Sequence, residues 1–366
     1  MRAPRCFLIA AGGTGGHLFP AQALAEALQK RGAIIELASD DRALKYGGDF
    51  PARATHAFAS ATPTGAGLAS KARAALTLGR GAAAALLTLV RLRPRAVIGF
   101  GGYPTVPPVL AASLLGIPTL IHEANPVLGR ANRFLAPRVG AIATGFAQIK
   151  GLDARLSAKV RFTGNPVRPA VLAAAQLAYP ATAPGCLNLL VTGGSQGARI
   201  MADVAPAALA MLSVAERAGI ALVQQARGED RQRVAAACAQ MNFSAEIAEF
   251  FSDLPARIAA AHLVIGRAGA STIAELGVIG RASILVPFPH ALDQDQAANA
   301  ASLAKVGAAL VVPQDEFTPD RLAALLRQAL QDPESLRRQG AAAKSAAIAD
   351  AAERLADLAL AHALPA

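Results

Sequence analysis

Two stretches decide how this chain is read: Leu8-Ile-Ala-Ala-Gly-Gly-Thr-Gly-Gly16 and Leu190-Val-Thr-Gly-Gly-Ser-Gln-Gly197. Each is a short apolar run that meets a glycine-rich turn and passes into a helical pattern. That succession is a strand, a loop able to approach a phosphate closely, and a helix N-terminus. Gly12 and Gly193 stand 181 residues apart, each near the start of its own series of alternating patterns. A chain of 366 residues has room for two domains. The echo predicts two similar doubly wound α/β domains with parallel sheets, arranged in tandem.

Working outward, apolar runs place strands at 6–11, 34–38, 96–100, 119–122 and 141–144 in the first half. In the second half they fall at 187–192, 221–225, 246–250, 263–265, 283–287 and 309–312. The Gly- and Pro-bearing segment Phe162-Thr-Gly-Asn-Pro-Val-Arg168 separates the two series and predicts a hinge. Domains are therefore expected at 1–163 and 164–344. Neither glycine loop is a dinucleotide fingerprint, because Gly13-x-Gly15 is followed by Leu18 where a third glycine would stand. No G-x-x-x-x-G-K-[ST] sequence occurs either, so hydride transfer and ATP hydrolysis both lose ground.

The cysteines Cys6, Cys186 and Cys238 lack metal-ligand spacing and read as buried thiols in a reducing compartment. The apolar N-terminal run ends at Gly12-Gly13 after too few residues for a secretory signal, so a strand is the better reading. Residues 96–121 carry no charge and have bilayer-spanning length. Pro104, Pro107, Pro108 and Pro118, with Gly99, Gly101, Gly102 and Gly116, cut that stretch into strand, loop, short helix and strand. The expectation is a soluble or peripheral protein rather than a spanning one.

Charge is distributed unevenly. Residues 1–165 hold 20 Lys and Arg against 7 Asp and Glu, whereas residues 166–366 hold 16 against 18. The whole formal excess of +11 therefore lies in the first half. Between Phe50 and His122 there is no acidic residue, where uniform usage would give ~5. Arg53, Lys71, Arg73, Arg80, Arg91, Arg93 and Arg95 surround an Ala/Leu-rich helical pattern over 68–92. A solvated basic face is one reading. Nucleic acid is disfavoured because aromatic residues are not interleaved with the cations. An anionic lipid surface, met by Leu68, Leu76, Leu78, Leu86 and Leu87 beside the cations, is favoured.

Seven motifs occur in order: Ala11-Gly-Gly-Thr-Gly-Gly-His17, Gly101-Gly-Tyr103, His122-Glu-Ala-Asn125, Gly164-Asn-Pro-Val-Arg168, Gly193-Gly-Ser-Gln-Gly-Ala198, Arg267-Ala-Gly-Ala-Ser-Thr-Ile-Ala-Glu275, and Pro287-Phe-Pro-His290 through Gln296 to Asn299. Together they resemble the MurG family of bacterial peptidoglycan N-acetylglucosaminyltransferases, over about residues 5–300. The resemblance implies a GT-B architecture, two Rossmann-like domains facing a cleft, with the nucleotide mainly on the C-terminal one. It implies a final helix, about 345–360, that returns to the first domain. It also implies inverting transfer of GlcNAc from UDP-GlcNAc to the MurNAc C4 hydroxyl of lipid I, giving lipid II. No covalent sugar–enzyme intermediate, no obligatory metal and no cofactor are expected. The partners are then UDP-GlcNAc, lipid I and an anionic membrane surface, with no nucleic acid. The place of action would be the cytoplasmic face of the bacterial inner membrane. A UDP-GlcNAc 2-epimerase of the same fold and a non-catalytic lipid-binding protein are the alternatives.

Site residues carry over motif by motif. Ser195 resembles the position that contacts the UDP diphosphate, and a hydroxyl beside helix N–H groups suits a leaving group of growing negative charge. Arg168 matches a donor-binding arginine. Glu275 matches the carboxylate whose two oxygens accept both ribose hydroxyls, and Ala270, Ser271, Thr272, Ile273 and Ala274 open its helix beneath the nucleotide. Phe251 matches a backbone position bordering uracil. Gln296 and Asn299 match contacts to GlcNAc hydroxyls, and Asn125 reaches the donor from the other domain. Thr14, Gly15 and Gly16 match the loop at the catalytic centre. His17 is the candidate general base, with Glu123 as competitor. Asp295 departs from the His or Gln usual in the family, and Ala268 from its Ser. Asp293-x-Asp295 imitates a metal-binding D-x-D, but its setting at a helix start after Pro-His disfavours a metal.

Overall fold

Cys6-Phe-Leu-Ile-Ala10 is apolar at every position, which suits a strand covered on both faces. In the computed structural model these residues form most of β1 (Arg5–Ala10), and Phe7, Leu8, Ile9 and Ala10 are wholly buried. The structure describes residues 5–12, 14–40, 50–61, 68–291 and 295–364. The first series continues with β2 (Ala33–Ser39), β3 (Ala54–Ala57), β4 (Ala96–Gly99), β5 (Thr119–Glu123), β6 (Ala141–Thr144) and β7 (Val160–Phe162). They pair in the order β3-β2-β1-β4-β5-β6-β7, all parallel, with Ile9 in register with Leu37 on one side and Ile98 on the other.

The second series repeats the plan. It comprises β8 (Leu187–Thr192), β9 (Ile220–Gln225), β10 (Ala245–Ala248), β11 (Leu263–Gly266), β12 (Ala282–Leu285) and β13 (Ala309–Val311). Their order is β10-β9-β8-β11-β12-β13, again all parallel. Strand order reverses between β1 and β4 and again between β8 and β11. At such a reversal the loops beyond the carboxyl ends diverge and leave a crevice. Both glycine loops stand there.

Two strands were not anticipated. β3 is an exposed edge of small and polar residues, so it carries no apolar run. It is held by a buried carboxylate instead: Glu36 accepts from Arg53 Nε at 2.6 Å and lies 3.0 Å from His56 Nε2. β7 is shorter still, at three residues, largely exposed, and runs into the first residue of the expected hinge, Phe162.

The chain folds as two compact units, residues 1–168 with 349–366, and residues 169–348. The first unit therefore runs a few residues past the expected boundary at 163. Thr163, Asn165 and Val167 are buried, and Thr163 N donates to Thr144 O while Asn165 Nδ2 donates to Ala124 O. The expected final helix is also corrected. Ser345 still belongs to helix Pro333–Ala346, which an extended Ala347 ends. The last helix is Ala351–His362, and its Leu355, Ala356 and Ala359 enter the core beneath β1. Arg31 pins it to helix Gly15–Gln29 through Glu353 at 2.6 Å and Asp357 at 2.7 Å.

The 68–92 pattern is one helix, Leu68–Leu92. Ala85 and Leu89 are buried in the core, and Leu78, Leu86 and Leu92 pack beside them. That corrects the expected outward set, because Leu78 and Leu86 face inward. Leu76, Leu87 and Val90 face solvent, 66%, 65% and 55% exposed. Residues 70–92 are long and apolar enough to cross a membrane by length and composition.

Candidate active site

Thr14 is extended (φ −121°, ψ 148°) and starts helix Gly15–Gln29, but its hydroxyl does not cap the helix. Thr14 Oγ1 lies 3.0 Å from His17 Nδ1. Gly16 is exposed and Gly15 buried. Beyond β4, Gly101 adopts φ +89° and runs against the imidazole. A Cβ there would stand 3.3 Å from His17 Nε2 and 3.4 Å from Asn132 Nδ2, so only glycine fits comfortably. Enclosure by this turn pushes the His17 imidazole down to about 4. The ring is neutral at pH 7, the state a proton acceptor requires.

His122 is the penultimate residue of β5 behind it and is wholly buried, with its ring centroid 5.3 Å from that of Phe100. Its Nε2 meets Gly164 O at 3.2 Å, and burial first, with His17 nearby, lowers it to about 4 as well. Glu123 is also buried. Its Oε1 accepts from Asn125 N and Nδ2 at 3.0 and 3.2 Å. Its Oε2 accepts from Gly129 N and Asn132 Nδ2, both at 2.9 Å. Burial raises this carboxyl and those donors oppose the rise. Four donors saturate a carboxylate, so Glu123 braces the loop 123–132 and is poorly disposed to act as the base. Asn132, which also donates to His122 O at 3.1 Å, was missed. The available signal was a polar residue between Ala131 and Leu135 on one buried helix face.

Arg168 was expected with the donor domain but belongs to the first unit. Its guanidinium lies 3.8 Å over the ring of Phe19, in the second turn of the helix after the glycine loop. A cation–π contact of this kind fixes a guanidinium without neutralising it.

In the second unit the loop after β8 is tight. A Cβ on Gly193 would fall 2.1 Å from Ala198 N. Gln225, at the end of β9, holds this loop: its Oε1 accepts from Gly193 N at 3.0 Å and Thr192 Oγ1 at 2.9 Å. Its Nε2 donates to Gly194 O at 3.0 Å and Glu249 O at 3.1 Å. Sequence reasoning missed Gln225 because nothing in an isolated strand end marks such a clamp. Ser195 stands exposed at the loop tip, ahead of helix Arg199–Ala210.

Helix Ala270–Ile279 follows the loop after β11 and begins at an extended Gly269. Ala270, Ile273 and Glu275 are buried, while Ser271, Thr272 and Ala274 are partly exposed. Phe251, just beyond β10, is buried under the Arg257 guanidinium at 4.2 Å. Gln296 is partly exposed and accepts from Phe288 N at 3.0 Å. Asn299 has its side chain wholly buried, and its Nδ2 donates to Ala268 O at 3.0 Å, which braces the loop after β11. Asp295 begins helix Asp295–Lys305 and accepts from Gln296 N, whereas Asp293 lies outside the described residues. Among the described residues, no three His, Cys, Asp or Glu side chains group as metal ligands.

Residues 7–144 match the glycosyltransferase family 28 N-terminal domain and residues 188–355 its C-terminal domain. The UDP-N-acetylglucosamine--N-acetylmuramyl-(pentapeptide) pyrophosphoryl-undecaprenol N-acetylglucosamine transferase of Methylorubrum populi is 56% identical over 353 residues, 96% of this chain and 95% of that one. The crystal structure of Acinetobacter baumannii MurG superposes with a TM-score of 0.77 at 29% identity, covering 98% of this chain and all of that one. A UDP-GlcNAc 2-epimerase from Neisseria meningitidis reaches 0.69 at 14% identity over 97% and 100% of the two chains, a likeness of fold alone. With two GT-B-type parallel-sheet domains, both halves of a family 28 glycosyltransferase and a relative at this identity, the chain belongs to the MurG family of N-acetylglucosaminyltransferases.

Proposed function

We propose that this chain transfers GlcNAc from UDP-GlcNAc to the MurNAc C4 hydroxyl of lipid I, with inversion, and so forms lipid II. The observation that carries the reading is the pair of glycine loops, each at a strand-order reversal, one followed by a neutral histidine and the other carrying an exposed serine at its tip. His17 removes the acceptor proton, with Thr14 Oγ1 fixing the imidazole through Nδ1. Glu123 and Asn132 hold the loop behind it. Ser195 and the free N–H groups of its helix receive the growing charge on the departing UDP. Glu275 holds the ribose, Phe251 borders the uracil, and Gln296 addresses the sugar. Arg168 and Asn125 complete the set of donor-binding residues.

The first unit is also the membrane-facing one in this proposal. Its helix Leu68–Leu92 presents Leu76, Leu87 and Val90 among Lys71, Arg73, Arg80 and Arg91, an arrangement suited to the cytoplasmic, anionic leaflet of the inner membrane. The test is an assay containing UDP-GlcNAc and a lipid I analogue. UDP and the disaccharide lipid should appear together and only when both substrates are present. UDP-ManNAc without an acceptor would instead indicate an epimerase, and vesicle binding without turnover a lipid-binding protein.

A further inference from the structure

Two arginines stand at the strand-order reversal of the second sheet, and neither has a role in the reading above. Arg227 follows β9 and Arg267 follows β11, on either side of the glycine loop that follows β8. Arg227 Nη2 donates to Gly197 O, the last residue of that loop, at 3.2 Å. Among the described residues its ion-pair partner is Glu229, a loose contact at 3.6 Å whose carboxylate is 71% exposed. Arg267 has neutral partners: Val286 O at 3.0 Å, Pro287 O at 3.2 Å and Gln314 Oε1 at 2.6 Å.

The two guanidinium groups carry like charge just beyond the strands flanking one loop. Burial first, and the Arg227 charge second, lower the Arg267 guanidinium. Helix N-termini at Arg199 and Ala270 add positive potential on the same side of the sheet. An anion held at the loop would relieve all of this at once. Structural bracing alone accounts for Arg267, which ties β11 to the loop beyond β12. It does not account for Arg227, whose carbonyl contact a neutral amide would make equally well.

We infer that Arg227 binds the donor's diphosphate, with its guanidinium beside the Gly193–Gly197 loop and Arg267 reinforcing the local potential. The inference rests on the donor reading of the second unit and deepens it. Arg227 is a substrate-contacting residue in this account, and Arg267 a positioning one.

Calorimetric titration of the full chain with UDP and with uridine tests it, comparing wild type with Arg227→Gln and Arg227→Lys. Losing a charge-assisted contact to phosphate should weaken UDP about tenfold in the Gln variant and change uridine less than about twofold. The Lys variant should recover most of the UDP affinity, because it keeps the charge. Equal weakening of UDP and uridine in both variants would make Arg227 a loop brace and overturn the inference, as would unchanged UDP binding in Arg227→Gln. Wild-type protein that binds neither UDP nor UDP-GlcNAc would remove the donor reading and this inference with it.

Discussion

Thr14 Oγ1 and His17 Nδ1 lie 3.0 Å apart across the first turn of the helix that follows β1. The hydroxyl that ordinarily caps a helix is given to a side chain instead, and the helix start accepts that loss. What is gained is orientation. With Nδ1 engaged by Thr14, Nε2 is the nitrogen directed toward the Gly101 turn. A neutral, oriented imidazole beside a glycine loop is the local condition for accepting a hydroxyl proton.

The enclosure of His17 and His122 predicts an acid-sensitive fold. Both are held near 4 in the folded chain, against 6.5 when unperturbed. Between those values the unfolded chain binds protons that the folded chain does not, so stability is full above pH 6.5 and falls as pH drops toward 4. For wholly buried His122 the loss is on the order of 3 kcal/mol. Melting temperatures from pH 7.5 to pH 5 should show the fall, and His122→Gln should flatten it.

Glu123→Gln should destabilise the chain by about 1–3 kcal/mol, because two of its four donors then meet an amide N–H₂ instead of an oxygen. Thermal denaturation measures this. A variant with normal stability and abolished turnover would return Glu123 to the chemistry.

Phe19→Leu should loosen Arg168 while leaving its charge in place. A cation–π contact of about 0.5–2 kcal/mol corresponds to a rise of roughly two- to thirtyfold in the KM for UDP-GlcNAc. Phe19→Tyr should restore it. Steady-state kinetics at saturating acceptor distinguishes the two variants.

Association with anionic vesicles should weaken as salt is added, because exposed charges are screened over ~10 Å at 0.1 M. Replacing Leu76 and Leu87 together by Ser should lower partitioning about tenfold or more, since each exposed leucine contributes ~1.5–3 kcal/mol when fully buried. Vesicle sedimentation at two salt concentrations measures both terms.

Much of this was legible in the residues. Both sheets could be placed because their central strands are buried on two faces and read as unbroken apolar runs, as in Phe7–Ala10 and Leu189–Val191. The glycine loops were equally plain. What escaped depended on partners distant in sequence. β3 is an edge held by Glu36, Arg53 and His56. Gln225 and Asn132 act through loops that sequence alone does not bring to them. Asn299 lies in a motif but under the loop it supports. The last helix boundary was hidden because alanine-rich sequence between Gly340 and His362 favours helix throughout, and only an extended Ala347 breaks it.

The most direct test of this division of labour is steady-state turnover of UDP-GlcNAc and a lipid I analogue by His17→Ala beside Glu275→Ala. His17→Ala should lower kcat about a hundredfold or more with the donor KM little changed, as loss of a general base requires. Glu275→Ala should raise the donor KM about tenfold through two lost hydrogen bonds to the ribose. Near-normal kcat in His17→Ala, or an unchanged donor KM in Glu275→Ala, would contradict the assignment of proton transfer to the first unit and donor binding to the second.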